Sequence, residues 1–275
     1  MLSRTVIRPG PRALSLSEIW AFRELLYFMV WRDLMLRYKQ TLLGVLWALF
    51  QPTSGAIIFA LVFARGIGPV GVPYPLFVYT GLLLWTMFAR AVGEGSLSLN
   101  NGAHLIAKVY FPRIYLPMAV LVTSLVDFGV GALFLVVAMW FFHVAPTVAV
   151  LLALPAVVLT ALCALGFEMW LSALGVRYRD VRYVLPFFLQ AAMFLTPVLY
   201  PARTQLGWMA SHGVPQWLLG LNPMVGALDL FRAALLPGFD VSIPVVATSV
   251  AMTAFLFVTG GWYFQRVEST LADVL

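Results

Sequence analysis

Residues 175 to 188 read GVRYRDVRYVLPFF, with Arg177, Arg179, Asp180 and Arg182 inside six positions and long runs almost free of charge on either side. Guanidinium groups at this density suit bidentate contact with phosphate or carboxylate. Four more ionisable residues lie within apolar runs: Arg90, Glu94, Asp127 and Glu168. Charge in such runs is costly, so each marks either a function or an internal partner. Arg90 and Glu94 are spaced i, i+4, which fits a local ion pair or a helix-to-helix contact that controls closure. Asp127, alone in the middle of its run, is protonated, bonded to a neighbouring helix or facing water. Glu168 is expected to form a salt bridge to the arginine cluster.

Catalytic groupings are missing around these charges. No G-x-x-x-x-G-K-[ST] loop is present to hold ATP phosphates, and no H-E-x-x-H or similar spacing for a metal. His104, His143 and His212 fall in separate connections, and Cys163 is the single cysteine, inside an apolar run. An enzyme acting on a polyprenyl-linked sugar within the membrane would need an acid, a base or a metal set. The connection near residues 201–240 offers only His212, Asp229, Asp240 and two arginines, with no convincing pairing. Only two lysines occur, Lys39 and Lys108, so the basic excess is not the wet Lys/Arg face of a nucleic-acid binder.

The elements that must position these charges follow from composition. The chain of 275 residues is 62% hydrophobic and 10% charged, far below the ~25% charge of soluble domains. An all-α integral membrane protein is therefore predicted. A spanning helix needs roughly 20 apolar residues, and six runs qualify, near 42–64, 74–99, 115–142, 148–176, 184–200 and 241–264. The opening residues have no apolar core near the start, so they do not read as a cleaved signal peptide. Thirteen Lys and Arg lie in the N-terminal segment, the second-to-third and fourth-to-fifth connections and the C-terminal tail, against three on the other side. The positive-inside rule then places both termini in the cytoplasm. Gln51-Pro52 in the first run suggests a kink.

The N-terminal segment, 1–41, carries Ser15 and Glu18 at capping-box spacing. A helix from there puts Trp20, Tyr27, Trp31, Leu34 and Tyr38 on one stripe, and Arg32, Asp33, Arg37, Lys39 and Gln40 opposite. That pattern predicts an amphipathic helix lying in the headgroup plane. Phe22, Leu25 and Met29 interrupt the polar side. Between runs five and six, about 201–240 is long and apolar. Asn222-Pro223 reads as a helix start and Pro237-Gly238 as a stop, enclosing a helix too short to span. One or two short helices that dip into the outer leaflet and return are predicted. Trp85, Trp140, Trp208, Trp217 and Trp262 are read as a belt at span ends, or in the minority as the lining of a sugar pathway, since sugar C–H faces lie well on aromatic planes.

Several blocks now acquire a common meaning. WRDLMLRYKQTLLGVLWALFQP (31–52), LIAKVYFPRIYLP (105–117), LVTSLVDFG (121–129), LSALGVRYRDVRYVLPFFLQAAMFLTPVLYP (171–201) and LNPMVGALDLFRAAL (221–235) resemble, in order, the ATP-binding-cassette (ABC) permeases that export polysaccharides and polyol phosphates. That family includes exporters of O-antigen, teichoic acid and related lipid-linked glycans. The resemblance implies a homodimeric permease of six spans per subunit in the bacterial inner membrane, 42–264, with a short tail at 265–275. It implies two copies of a cytoplasmic ATPase on separate chains, which would hold ATP and magnesium; this chain would carry no cofactor. The connection at about 100–112 would be the coupling helix, with Asn101, His104, Leu105, Lys108, Tyr110, Phe111 and Arg113 against the ATPase, and the interfacial helix beside it. A polyprenyl-pyrophosphate-linked glycan would pass between subunits, and Arg177, Arg179, Asp180 and Arg182 would line the cytoplasmic mouth. A permease of the same fold moving teichoic acid, a drug or a smaller lipid is the alternative.

Overall fold

The computed structural model describes residues 20–268 apart from 40, 42, 43, 45, 64–69, 107 and 110. The Ser15–Glu18 capping box and Tyr110 lie outside the described residues. No strand forms among those described, as the long apolar runs require: in lipid a helix satisfies its own backbone.

In chain order the helices are α1 (Arg23–Tyr38), α2 (Leu46–Phe63), α3 (Tyr74–Gly95), the short α4 (Ser98–Asn101) and α5 (Ala103–Ile106), α6 (Tyr115–Phe141), α7 (Ala153–Arg177), α8 (Val181–Leu195), α9 (Ala202–Ser211), α10 (Pro223–Leu235) and α11 (Ile243–Glu268). Among the described residues, five are long and apolar enough to cross a membrane: α2, α3, α6, α7 with its preceding turn, and α11. The fifth predicted run gives only α8, 15 residues, or about 22 Å at 1.5 Å per residue, short of a ~30 Å hydrocarbon core. Its end is fixed by polar contacts. Thr196 donates to the Ala192 carbonyl at 2.7 Å and accepts from the Asn222 amide at 2.8 Å, while Arg232 donates to the Pro197 and Val198 carbonyls, each at 2.5 Å. The chain is turned aside before the helix lengthens.

The central helix is α3, almost wholly enclosed by α6, α7 and α2, with α10 against it as well. Helix α11 lies along α7 at a small-residue crossing. A Cβ on Gly260 would fall 2.6 Å from the Gly166 carbonyl oxygen, so the backbones meet directly, the usual way helices associate in lipid. Trp170 stacks on Tyr263 beside it, centroids 4.6 Å apart, and its indole donates to Thr259 at 3.1 Å.

Helix α10 starts at Asn222-Pro223 as predicted, with the Asn222 side chain accepting from the Met224 amide at 3.2 Å. It is buried in the bundle, where Arg232 also lies over the Phe77 ring, 3.8 Å from its centroid. Contacts divide the bundle into two ends. Tyr74 bonds to Leu199, and Thr147 to Ala233 and Ala234, at one. At the other, Arg113 bonds to Glu268, and Asn100 to Gly175. The connections richest in Lys and Arg thus meet at one end. Trp85, expected in a belt at span ends, is instead buried in the middle of α3, where its neighbours are other helices.

Candidate functional site

The end that carries α1 and the 96–114 connection also collects most of the intramembrane charge. Asp127 on α6 is 7% exposed. It accepts from Arg37 on α1 at 2.5 Å, from the Arg90 guanidinium on α3 and from the Tyr38 hydroxyl. Arg37 also donates to Glu94, and Arg90 keeps its i, i+4 contact with Glu94 at 3.5 Å. The predicted local pair therefore exists, but it is the weakest link of a wider cluster spanning three helices. Asp127 is bonded to neighbouring helices, the second of the three states open to it. Two cations meet two anions, so the cluster is formally neutral. It works as a tie between α1, α3 and α6, with no charge left over for an anion.

The cluster tunes its own members. Burial works against the charge on Arg37, but Glu94 and Asp127 more than offset it and hold its pKa above the ordinary arginine value. Burial, with the hydrogen bond to the Asp127 carboxylate, pushes the Tyr38 phenol up to about 12. Both effects favour the protonated, bonded form near neutrality.

Helix α1 presents its faces differently from the sequence reading. Trp20, Tyr27 and Trp31 are exposed as a stripe, with Tyr27 and Trp31 stacked 6.5 Å apart. Tyr38, assigned to that stripe, is turned inward onto Asp127. The supposedly polar side is the docked side: Met29 is buried, and Phe22, Leu25, Leu26 and Val30 pack on the bundle. Those interruptions were the signal that this face has a protein partner, and Arg37 shares it. Arg32 pairs with Asp33 at 2.8 Å near the surface.

Between α1 and the connection lies a hollow of about 490 Å³. Arg32, Asp33 and Arg37 line it from α1, Glu94 from α3, and Asn101, His104 and Leu105 from the connection. The structure thus joins the interfacial set to part of the coupling set. Arg37, with Tyr38, Trp47, Gln51, Ser54 and Arg90, also borders a second hollow of about 420 Å³ against α2. Lys108 is exposed. Phe111 is buried at 4% exposure, so it braces the connection from inside and cannot meet a partner. Arg113 is taken up by Glu268 at the end of α11, through its amide at 3.4 Å and its guanidinium. The connection itself is two short turns broken at Gly102, where a Cβ would lie 2.7 Å from Leu116.

The arginine cluster stands apart from these hollows. Arg177 closes α7, while Arg179 and Asp180 precede α8 and Arg182 opens it. All four are exposed, and no ion pair joins them among the described residues. Arg182 lies over Tyr183, 4.8 Å from the ring centroid. Glu168 does not reach them. It is fully buried on α7 against Gly95 of α3, and neither carboxyl oxygen finds a hydrogen-bond partner among the described residues. The expected salt bridge fails because Glu168 points into the α3 contact, while the arginines begin only at the last residue of α7 and continue past it. The described residues hold no group of His, Cys, Asp and Glu suited to a metal.

Known proteins share this arrangement of sequence. The ABC-2 type transporter family pattern matches residues 24–236, from α1 to the end of α10. The chain is 32% identical over 240 residues to the O-antigen export system permease protein RfbA of Myxococcus xanthus, covering 86% of this chain and 90% of the relative. It is 25% identical over 261 residues to the O-antigen export system permease protein RfbA of Klebsiella pneumoniae, covering 92% and 95%. It is 23% identical over 256 residues to the polysialic acid transport protein KpsM of Escherichia coli, covering 88% and 93%.

Proposed function

The chain belongs to the ABC-2 type transporter family, and from that premise we propose that it is the membrane permease of an exporter moving a lipid-linked polysaccharide across the bacterial inner membrane. The observation that carries this reading is the run of relatives named for O-antigen export and polysialic acid transport, which match 86% to 92% of the chain. They favour a polysaccharide over a drug or a smaller lipid. Energy comes from a separate ATPase, two copies of which hold the nucleotide and magnesium.

The working unit is a homodimer. Each subunit crosses the membrane six times, with α8 and the turn after it forming the fifth crossing and 201–240 re-entering from the outer side. The end carrying α1 and the 96–114 connection faces the cytoplasm, as do both termini. There the ATPase engages the connection through Asn101, His104, Leu105 and Lys108, beside α1. Arg177, Arg179 and Arg182 stand at the cytoplasmic mouth with guanidiniums free to meet the pyrophosphate of the carrier lipid.

The test is deletion of this chain in its source cell, followed by analysis of surface polysaccharide. Loss of the surface polymer, with lipid-linked glycan accumulating at the inner face, is the expected result. Unchanged surface polysaccharide refutes the reading, as does ATP hydrolysis by the purified chain alone.

A further inference from the structure

Helix α7 ends at Arg177, and the Tyr178 amide donates to the Leu174 carbonyl at 2.8 Å as the last bond of its ladder. The Gly175 carbonyl would need the amide of Arg179, which lies past the helix end, so it is one of the orphan acceptors every helix leaves at its C-terminus. It is filled from another element: the Asn100 side-chain amide, on α4, donates to it at 3.1 Å. Around that bond the backbones are in contact. A Cβ on Gly175 would lie 3.2 Å from the Ser96 carbonyl, and one on Gly95 would run into the Glu168 side chain. The 95–101 elbow is therefore fitted to the last turns of α7.

The elbow has a second anchor, Gly102 against Leu116 of α6. That helix is itself tied to α1 and α3 through Asp127. Helix α7 is different, because it runs straight into Arg177–Arg182 and α8, whose outer face is largely open. Helix α7 itself is packed against α3, α10 and α11, but the Asn100 bond sits at its last turn, directly before the lightly held loop and α8.

We propose that Asn100 is a positioning residue that carries displacement of the elbow into the end of α7, and so into the arginine loop and α8. This rests on the reading that the ATPase pushes on the elbow. Asn100 itself is exposed, so its replacement leaves the packed seam in place.

The test uses the permease–ATPase complex in lipid vesicles supplied with lipid-linked glycan. For Asn100→Ala, hydrolysis stays near wild type while glycan exported per ATP falls about 2- to 10-fold, the range of one net hydrogen bond. Asn100→Asp falls further, since it sets a carboxylate against a helix C-terminus. A spin label at Tyr183→Cys reports α8 directly, and the native Cys163 is buried and does not compete. The ATP-driven change in distance between the two labels shrinks in both variants. Wild-type export and label movement in both variants overturn the proposal. So does a joint fall of yield, hydrolysis and export, which would mark Asn100 as merely structural. A wild-type complex that never exports with ATP instead sinks the permease reading, and this inference with it.

Discussion

Replacing Asp127 by asparagine will loosen α1 from the bundle. Asp127 is the common acceptor for Arg37, Arg90 and Tyr38 and is nearly buried. After the change two guanidiniums share one carboxylate, Glu94, whose side chain is 48% exposed. Breaking a buried ion pair costs about 3–5 kcal/mol. Asparagine keeps one acceptor oxygen, and Arg37 lies close to the surface, so about 2–3 kcal/mol is a fair expectation here. At 1.4 kcal/mol per factor of ten, α1 would lift off roughly 30 to 140 times more often. Limited trypsin digestion reads this through Arg32, which lies inside α1 and is cut faster once that helix leaves the bundle and unwinds; cleavage follows the open population when reclosing is fast. Glu94→Gln is the control. Its pairs are half in solvent, worth at most about 1 kcal/mol, so cleavage should rise less than about fivefold. Wild-type cleavage in Asp127→Asn, or an equal effect in Glu94→Gln, would refute the account of the cluster.

Three further outcomes follow from the packing. The Tyr38 phenol lies above its ordinary value of 10.0, at about 12, so its share of α1 docking is complete below pH 10.0 and is lost as pH rises through about 12. Tyr38→Phe should remove one late-titrating phenol from the tyrosinate absorbance curve and abolish that part of the alkaline release of α1. Gly81→Ala would set a Cβ 2.5 Å from the Val198 carbonyl and 2.6 Å from the Arg232 guanidinium. Neither neighbour has room to retreat, so a cost of about 3 kcal/mol or more is expected, seen as loss of monodisperse protein in size-exclusion chromatography. Gly129→Ala, with nothing within 4 Å, should match wild type. Glu168→Gln keeps the volume of a carboxyl that makes no hydrogen bond, so yield and thermal stability should hold; a collapse in yield would reveal a partner that needs the charge.

The helical class, the apolar runs and the end at which the basic connections gather were legible in the chain itself, because hydropathy and Lys/Arg placement are local quantities. The start of α10 at Asn222-Pro223 was equally local, being set by capping chemistry. The docked face of α1 was half legible: Met29 and Leu25 broke the polar side, but only packing showed that a protein surface covers them. The partners of Asp127 come from 37 and 90 residues away, and no periodicity encodes such a pairing. The shortness of α8 was hidden too, since its apolar run continues past Leu195 and the turn is imposed by Arg232 and Asn222 from a later helix. Glu168 was misplaced for the same reason: its nearness to the arginines in sequence says nothing of the glycine on α3 that it covers. Composition and spacing fix what each segment can bury; which charges end up sharing a site depends on how helices cross, and that is settled only when their backbones touch.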